Sequence, residues 1–167
     1  MYEVSRKEAF AAVVLIAIAL TAMAWAAMSV GTNTISGYNP TVTVNNVPNI
    51  SSVSKNSKGT ATKSEAITIT PSGFTGTLEI KVALIDVTGL YESMDQFTVV
   101  IWNATSSGAT PSKILAVLTL EEPVATFRYV IGSNVLNLNM TVSWKAGSKV
   151  ASTIKYGVAA EVVAAYP

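Results

Sequence analysis

Three Asn-x-Ser/Thr triplets stand in the chain: Asn49-Ile50-Ser51, Asn103-Ala104-Thr105 and Asn139-Met140-Thr141. In an exported protein such a triplet accepts an N-linked sugar where its amide is exposed. A second group is Asp86, Glu92 and Asp95 in DVTGLYESMD. Carboxylates on one loop can hold Ca²⁺, which takes about six to eight oxygens, but this spacing matches no EF-hand loop. A solvated turn is the simpler reading, so no metal is expected. The chain has no histidine and no cysteine. That excludes Cys nucleophiles, Cys/His zinc sites and every His-dependent triad. Ser and Thr are plentiful, yet none has an evident basic partner to activate it. Trp102 and Trp144 read as core aromatics, with sugar stacking open to Trp102 only if it faces outward. We expect no catalytic residue, no cofactor and no enzyme.

The sequence has 167 residues and a formal net charge of +1. A nucleic-acid-binding domain usually shows a basic stripe; here only Arg6 and Lys7 stand together, and no nucleic-acid partner is expected. Without cysteine the fold must hold through its core alone. A domain of this size can manage that by burying roughly two thirds of its unfolded surface.

What must position any site begins with AFAAVVLIAIALTAMAWAAMSV, residues 9 to 30, free of charge, proline and glycine. A helix of about 20 such residues crosses a bilayer. Being apolar on every face, it belongs in lipid or inside a bundle. Arg6 and Lys7 precede it and no charge follows until Lys55, which favours the bulk of the chain outside. Three fates fit. A signal peptide would use Ala9 to Leu20 as its apolar region and Ala24-Trp25-Ala26 as its cleavage site. An uncleaved anchor would stay in lipid. A pilin-type leader would be cut ahead of the helix, which the product would keep.

The pairing of SRKEA with FAAVVLIAIALTAMAWAAMSVG resembles the N-terminus of archaeal type IV pilins and archaellins. The resemblance covers about thirty residues and implies cleavage after Ala9, leaving Phe10 as the new N-terminus. It also implies an assembly helix carrying Phe10, Val13, Val14, Leu15, Ile16, Ile18, Leu20, Ala22 and Ala26. From the residues themselves, the many alanines let backbones approach closely, as small residues do where helices pack. Ala22 and Ala26 lie one turn apart.

Beyond TNTISGYNP, whose Gly37 and Asn39-Pro40 mark a loop, the period changes to two. VLNLNMTVSWK puts Leu136, Leu138, Met140, Val142 and Trp144 on one face and Asn137, Asn139, Thr141, Ser143 and Lys145 on the other. Strict alternation means a half-buried strand. TLEIKVAL repeats the pattern. TVTV (41–44), EAITIT (65–70), QFTVVIW (96–102), ILAVLTL (114–120), VATFRYVI (124–131) and IKYGVAAEVVAAY (154–166) are further strands. GLYESMDQ suits one helical turn, and SSVSKNSKGTATKS suits a polar hairpin loop. The last strand is apolar on both alternating faces, which suits either a central strand covered by its own domain or a strand covered by a neighbouring subunit.

The expected fold is an N-terminal hydrophobic helix followed by an all-β antiparallel sandwich, immunoglobulin-like, of seven to eight strands. The expected organisation is a charged leader (1–9), a hydrophobic helix (10–32), a linker (33–40) and the β-domain (41–167). With the resemblance, the expected role is a subunit of an extracellular helical filament at the cell surface. The precursor would sit in the membrane, the main partner would be copies of the same chain, and the outer domain would be free to meet an adhesion target. The alternatives are a single-pass anchored domain binding an envelope or motor component, and a secreted β-protein after signal removal.

Overall fold

A computed structural model describes residues 39–50, 53–104 and 111–167. The leader, the cleavage position at Ala9 and Phe10, the assembly helix and residues 33–38 of the linker lie outside the described residues. Among the described residues, no helix is long and apolar enough to cross a membrane.

Eight strands and one helical turn make up the described chain. They are β1 (Thr41–Val44), β2 (Lys58–Thr70), β3 (Gly76–Ile85), α1 (Leu90–Ser93), β4 (Met94–Ala104), β5 (Pro111–Thr119), β6 (Val124–Ile131), β7 (Leu136–Ala146) and β8 (Gly157–Tyr166). Every ladder is antiparallel. One sheet runs β1-β2-β7-β4-β5 and the other β6-β3-β8. Their inner faces enclose one core, and β1 and β8 also touch, as do β5 and β6.

Alternation places the core as read. Leu78, Ile80, Val82 and Leu84 of β3 are buried, and so are Leu138, Met140 and Val142 of β7. Phe127 and Ile131 of β6 join them, while Thr126, Arg128 and Val130 point out. α1 is the single turn expected from GLYESMDQ, with Leu90 in the core. Glu121 and Glu122 sit in the turn between β5 and β6, where the Thr119 N–H donates to Glu122 O.

Two expectations need correction. The polar stretch after Ser57 is a strand, not a loop: Lys58 to Lys63 pair with Lys145 to Met140 of β7. Its composition hid this because one face is solvated and the other carries small residues. Gly59 lies opposite Trp144, and a side chain there would run into the indole ring. Pairing with a neighbour thus overrides weak local propensity.

The last strand, β8, is not central. It pairs with β3 alone, at the sheet edge. Its two apolar faces have a local cause: the register slips between Ala164 and Val162, leaving Val163 as an unpaired bulge residue. A bulge shifts the alternation by one. Val158, Ala160 and Val162 pack inward before it and Ala165 after it.

Replacing Gly59 by Ala should force the Trp144 ring from its place. Overpacking of this kind typically costs about 1–3 kcal/mol. Urea denaturation with the unfolding read by tryptophan fluorescence checks this; unchanged stability would mean that the ring has room to move.

Candidate functional site

The described surface offers three places where chemistry or recognition could reside: the outer face of each sheet and the end of the sandwich near the β1–β2 connection.

On the five-stranded sheet, register aligns hydroxyls across strands. Thr60, Ser143, Thr98 and Thr119 form one row over β2, β7, β4 and β5, and Thr62 and Thr141 begin the next. Thr62 and Thr141 share a hydrogen bond of 2.9 Å between their hydroxyls. Beyond the first row stand Lys58, Lys145 and Gln96. Thr60, Ser143 and Thr98 of the first row and Lys58, Lys145 and Gln96 beyond it line an open trough of about 480 Å³. Lys145 Nζ lies 3.9 Å from Asp95 Oδ2, with both side chains more than half exposed; such a pair contributes little.

The register also places Trp102 on this outer face, opposite Asn139, and not in the core between the sheets. It is 4% exposed, so its ring has no free face for a sugar. Its Nε1–H donates to Thr141 Oγ1 at 3.0 Å. Trp144 faces inward and packs against the core.

The three-stranded sheet is different outside. Arg128 Nε donates to Glu79 Oε2 at 2.8 Å, and Tyr166 OH donates to the same oxygen at 3.4 Å. The Arg128 guanidinium lies 5.4 Å from the Tyr166 ring centre. The hydrogen bond and the charge of Glu79 push the Arg128 pKa up. Lys81 Nζ is 3.8 Å from Glu161 Oε1. Small residues flank these ion pairs: Ala164 stands opposite Glu79, and Ala83 and Ala159 pair in the row beyond Lys81 and Glu161.

The structure sorts the three sequons. Asn49 is exposed, in a connection without regular structure. Asn103 is half-buried, and its Nδ2 donates to Tyr129 OH at 2.8 Å. Asn139, expected on the solvated face of β7, is 6% exposed. Between the pairs Lys63–Met140 and Ile67–Leu138, three β2 residues (Ser64, Glu65 and Ala66) face Asn139 alone. Glu65 takes φ 52° there, and its N–H donates to Asn139 Oδ1 at 2.9 Å. The bulge folds over the asparagine and uses it as a clip. An N-H that the bulge withdraws from the ladder must find another acceptor.

Asp86, Glu92 and Asp95 are not brought together. Asp86 Oδ1 accepts from Thr88 OH at 3.1 Å, and Asp95 stands by Lys145. Among the described residues, no three potential metal ligands gather.

At the sandwich end, the Tyr156 hydroxyl donates to Pro48 O, and its ring packs edge-on to Phe97 with centroids 5.2 Å apart. Burial pushes the Tyr156 pKa well above the usual phenol range. This clasp joins residues 108 apart in sequence, and no local signal marks it. The Asn139 clip was equally hidden, because β7 alternates without a flaw. A positive-φ bulge in β2 carries no glycine to announce it.

No family model matches the chain, and no curated protein matches it.

Replacing Asn139 by Ala would leave the Glu65 N–H without its acceptor, at about 1–3 kcal/mol. Denaturant titration measures the loss, and hydrogen exchange at Glu65 should speed up. Tyr156 gives a pH signature. Its folded pKa lies above its unfolded value near 10, so its contribution is full below about pH 10 and falls as pH rises beyond it. Tyr156→Phe should flatten the alkaline decline in stability. An equal decline in the variant would assign it to other groups.

Proposed function

We propose that this chain is the structural subunit of an extracellular helical filament of the pilin or archaellin kind. One observation carries the reading: an uncharged apolar run from Ala9 to Val30 is joined to an antiparallel two-sheet domain with polar outer faces. As a helix, such a run must sit in lipid or among other helices. In this reading the leader is cut between Ala9 and Phe10, and the precursor waits in the membrane. The helix then leaves lipid for the centre of a fibre, where copies of itself replace the acyl chains.

Returning that surface to water would cost roughly 25 cal/mol per Å², so the fibre resists dissociation. A contact that repeats head to tail without closing yields a helical polymer. The β-domain forms the outer sheath. Its likeness to an immunoglobulin domain is supported at the level of two antiparallel layers around one core. The partners are copies of the chain, the membrane before assembly and an adhesion target for the exposed domain. The role needs no cofactor, catalytic group or nucleic acid.

Electron microscopy of material sheared from the cell surface, with mass spectrometry of the subunit, tests the proposal. Fibres whose subunit begins at Phe10 are expected. Leu15→Glu, which places a charge in the helix, should abolish fibres while leaving the β-domain folded. A detergent-soluble monomer with no fibres would overturn the reading in favour of a single-pass anchored domain. A soluble product beginning near Ala27 would overturn it in favour of a secreted protein.

A further inference from the structure

The three sequons are equivalent as sequence and unlike as structure. Asn139 is enclosed by the β2 bulge with its Oδ1 engaged by Glu65. A sugar on its amide would require that bulge to open. Asn103 is half-buried with Nδ2 already donating to Tyr129, which ties it to β6. Asn49 alone presents an exposed side chain.

The backbone around Asn49 is held even though its side chain is not. Pro48 is buried and its carbonyl is clasped by Tyr156. Val47 and Ile50 pack against the core on either side. The amide therefore stands out from an anchored stretch of chain at the end of the sandwich. Beside it lies a trough of about 350 Å³, where Ile154 and Tyr156 offer an apolar wall and the exposed Asp86 and Lys155 offer polar groups. Apolar surface with a few convergent polar groups suits a sugar ring, which has both kinds of face.

We infer that Asn49 is the N-glycosylation site of this protein and that its first sugar settles in this trough. The inference rests on the domain being exported, as the proposed function requires. The donor is a sugar activated as a glycosyl phosphate ester, delivered by a transferase. The Asn49 Nδ2 forms a bond to the anomeric carbon. The bond from that carbon to the phosphate oxygen breaks, and the phosphate leaves with the electron pair. Nδ2 gives up one proton. Asn139 serves instead as a structural clip.

Peptide mapping by mass spectrometry, on full-length protein recovered from the surface of the cells that make it, tests the assignment. A glycan mass is expected on the peptide containing Asn49 and none on the peptide containing Asn139. Asn49→Gln should remove that mass completely. Ser51→Ala, which spares the asparagine but removes the sequon hydroxyl, should do the same. Unmodified Asn49 on surface-exposed protein would overturn the site while leaving export intact. A glycan found only on Asn103 or Asn139 would overturn it equally. Protein never recovered outside the cell would overturn the filament reading and the site with it.

Discussion

β7 pairs with β2 on one side and β4 on the other, and the domain is organised around that double pairing. Its inward residues Leu138, Met140 and Val142 are fully buried, and its outward residues are Asn, Thr, Ser and Lys. A slip of one residue would send three large apolar side chains into water and five polar ones into the core. The register is therefore fixed by the hydrophobic effect, and the neighbouring strands inherit it. The row of hydroxyls on the outer face, the placement of Trp144 over Gly59 and the burial of Asn139 all follow from that alignment.

The two outer faces solve the same problem in different ways. One carries rows of hydroxyls, which meet water or each other, with Lys58 and Lys145 standing beyond them. The other carries opposite charges in cross-strand pairs, Glu79 with Arg128 and Lys81 with Glu161. Pairs of this kind, partly exposed, contribute modestly to stability. They keep like charges apart on a narrow three-stranded sheet.

With no disulfide, the connections depend on single hydrogen bonds at chosen points. Tyr156 fastens the β1–β2 connection through Pro48 O, and the Ser93 hydroxyl accepts from the Ala151 N–H at 2.8 Å to hold the β7–β8 connection. Both hydroxyls come from segments already anchored in the core, so little chain entropy is lost in forming the bonds. Of the carboxylates in DVTGLYESMD, Asp86 accepts from the Thr88 hydroxyl within its own turn and Asp95 stands by Lys145 of β7.

Period-two alternation by itself pointed to antiparallel β beyond residue 40, located at least part of each of the eight strands and set the inward faces of β3 and β7, because side-chain direction in a strand depends only on position parity. The absence of His and Cys removed whole classes of chemistry for an equally local reason. Alternation failed where the ladder is irregular. Asn139 reads as solvated, and only the β2 bulge, set by pairing across 74 residues, encloses it. The two apolar faces of β8 read as a covered central strand, and only the Val163 bulge shows an edge strand that changes face. Lys58 to Ser64 reads as a loop until β7 is laid beside it. Which of three identical sequons lies open was likewise a matter of tertiary structure. Exposure is a property of what packs against a residue, and no pattern along the chain encodes the neighbour.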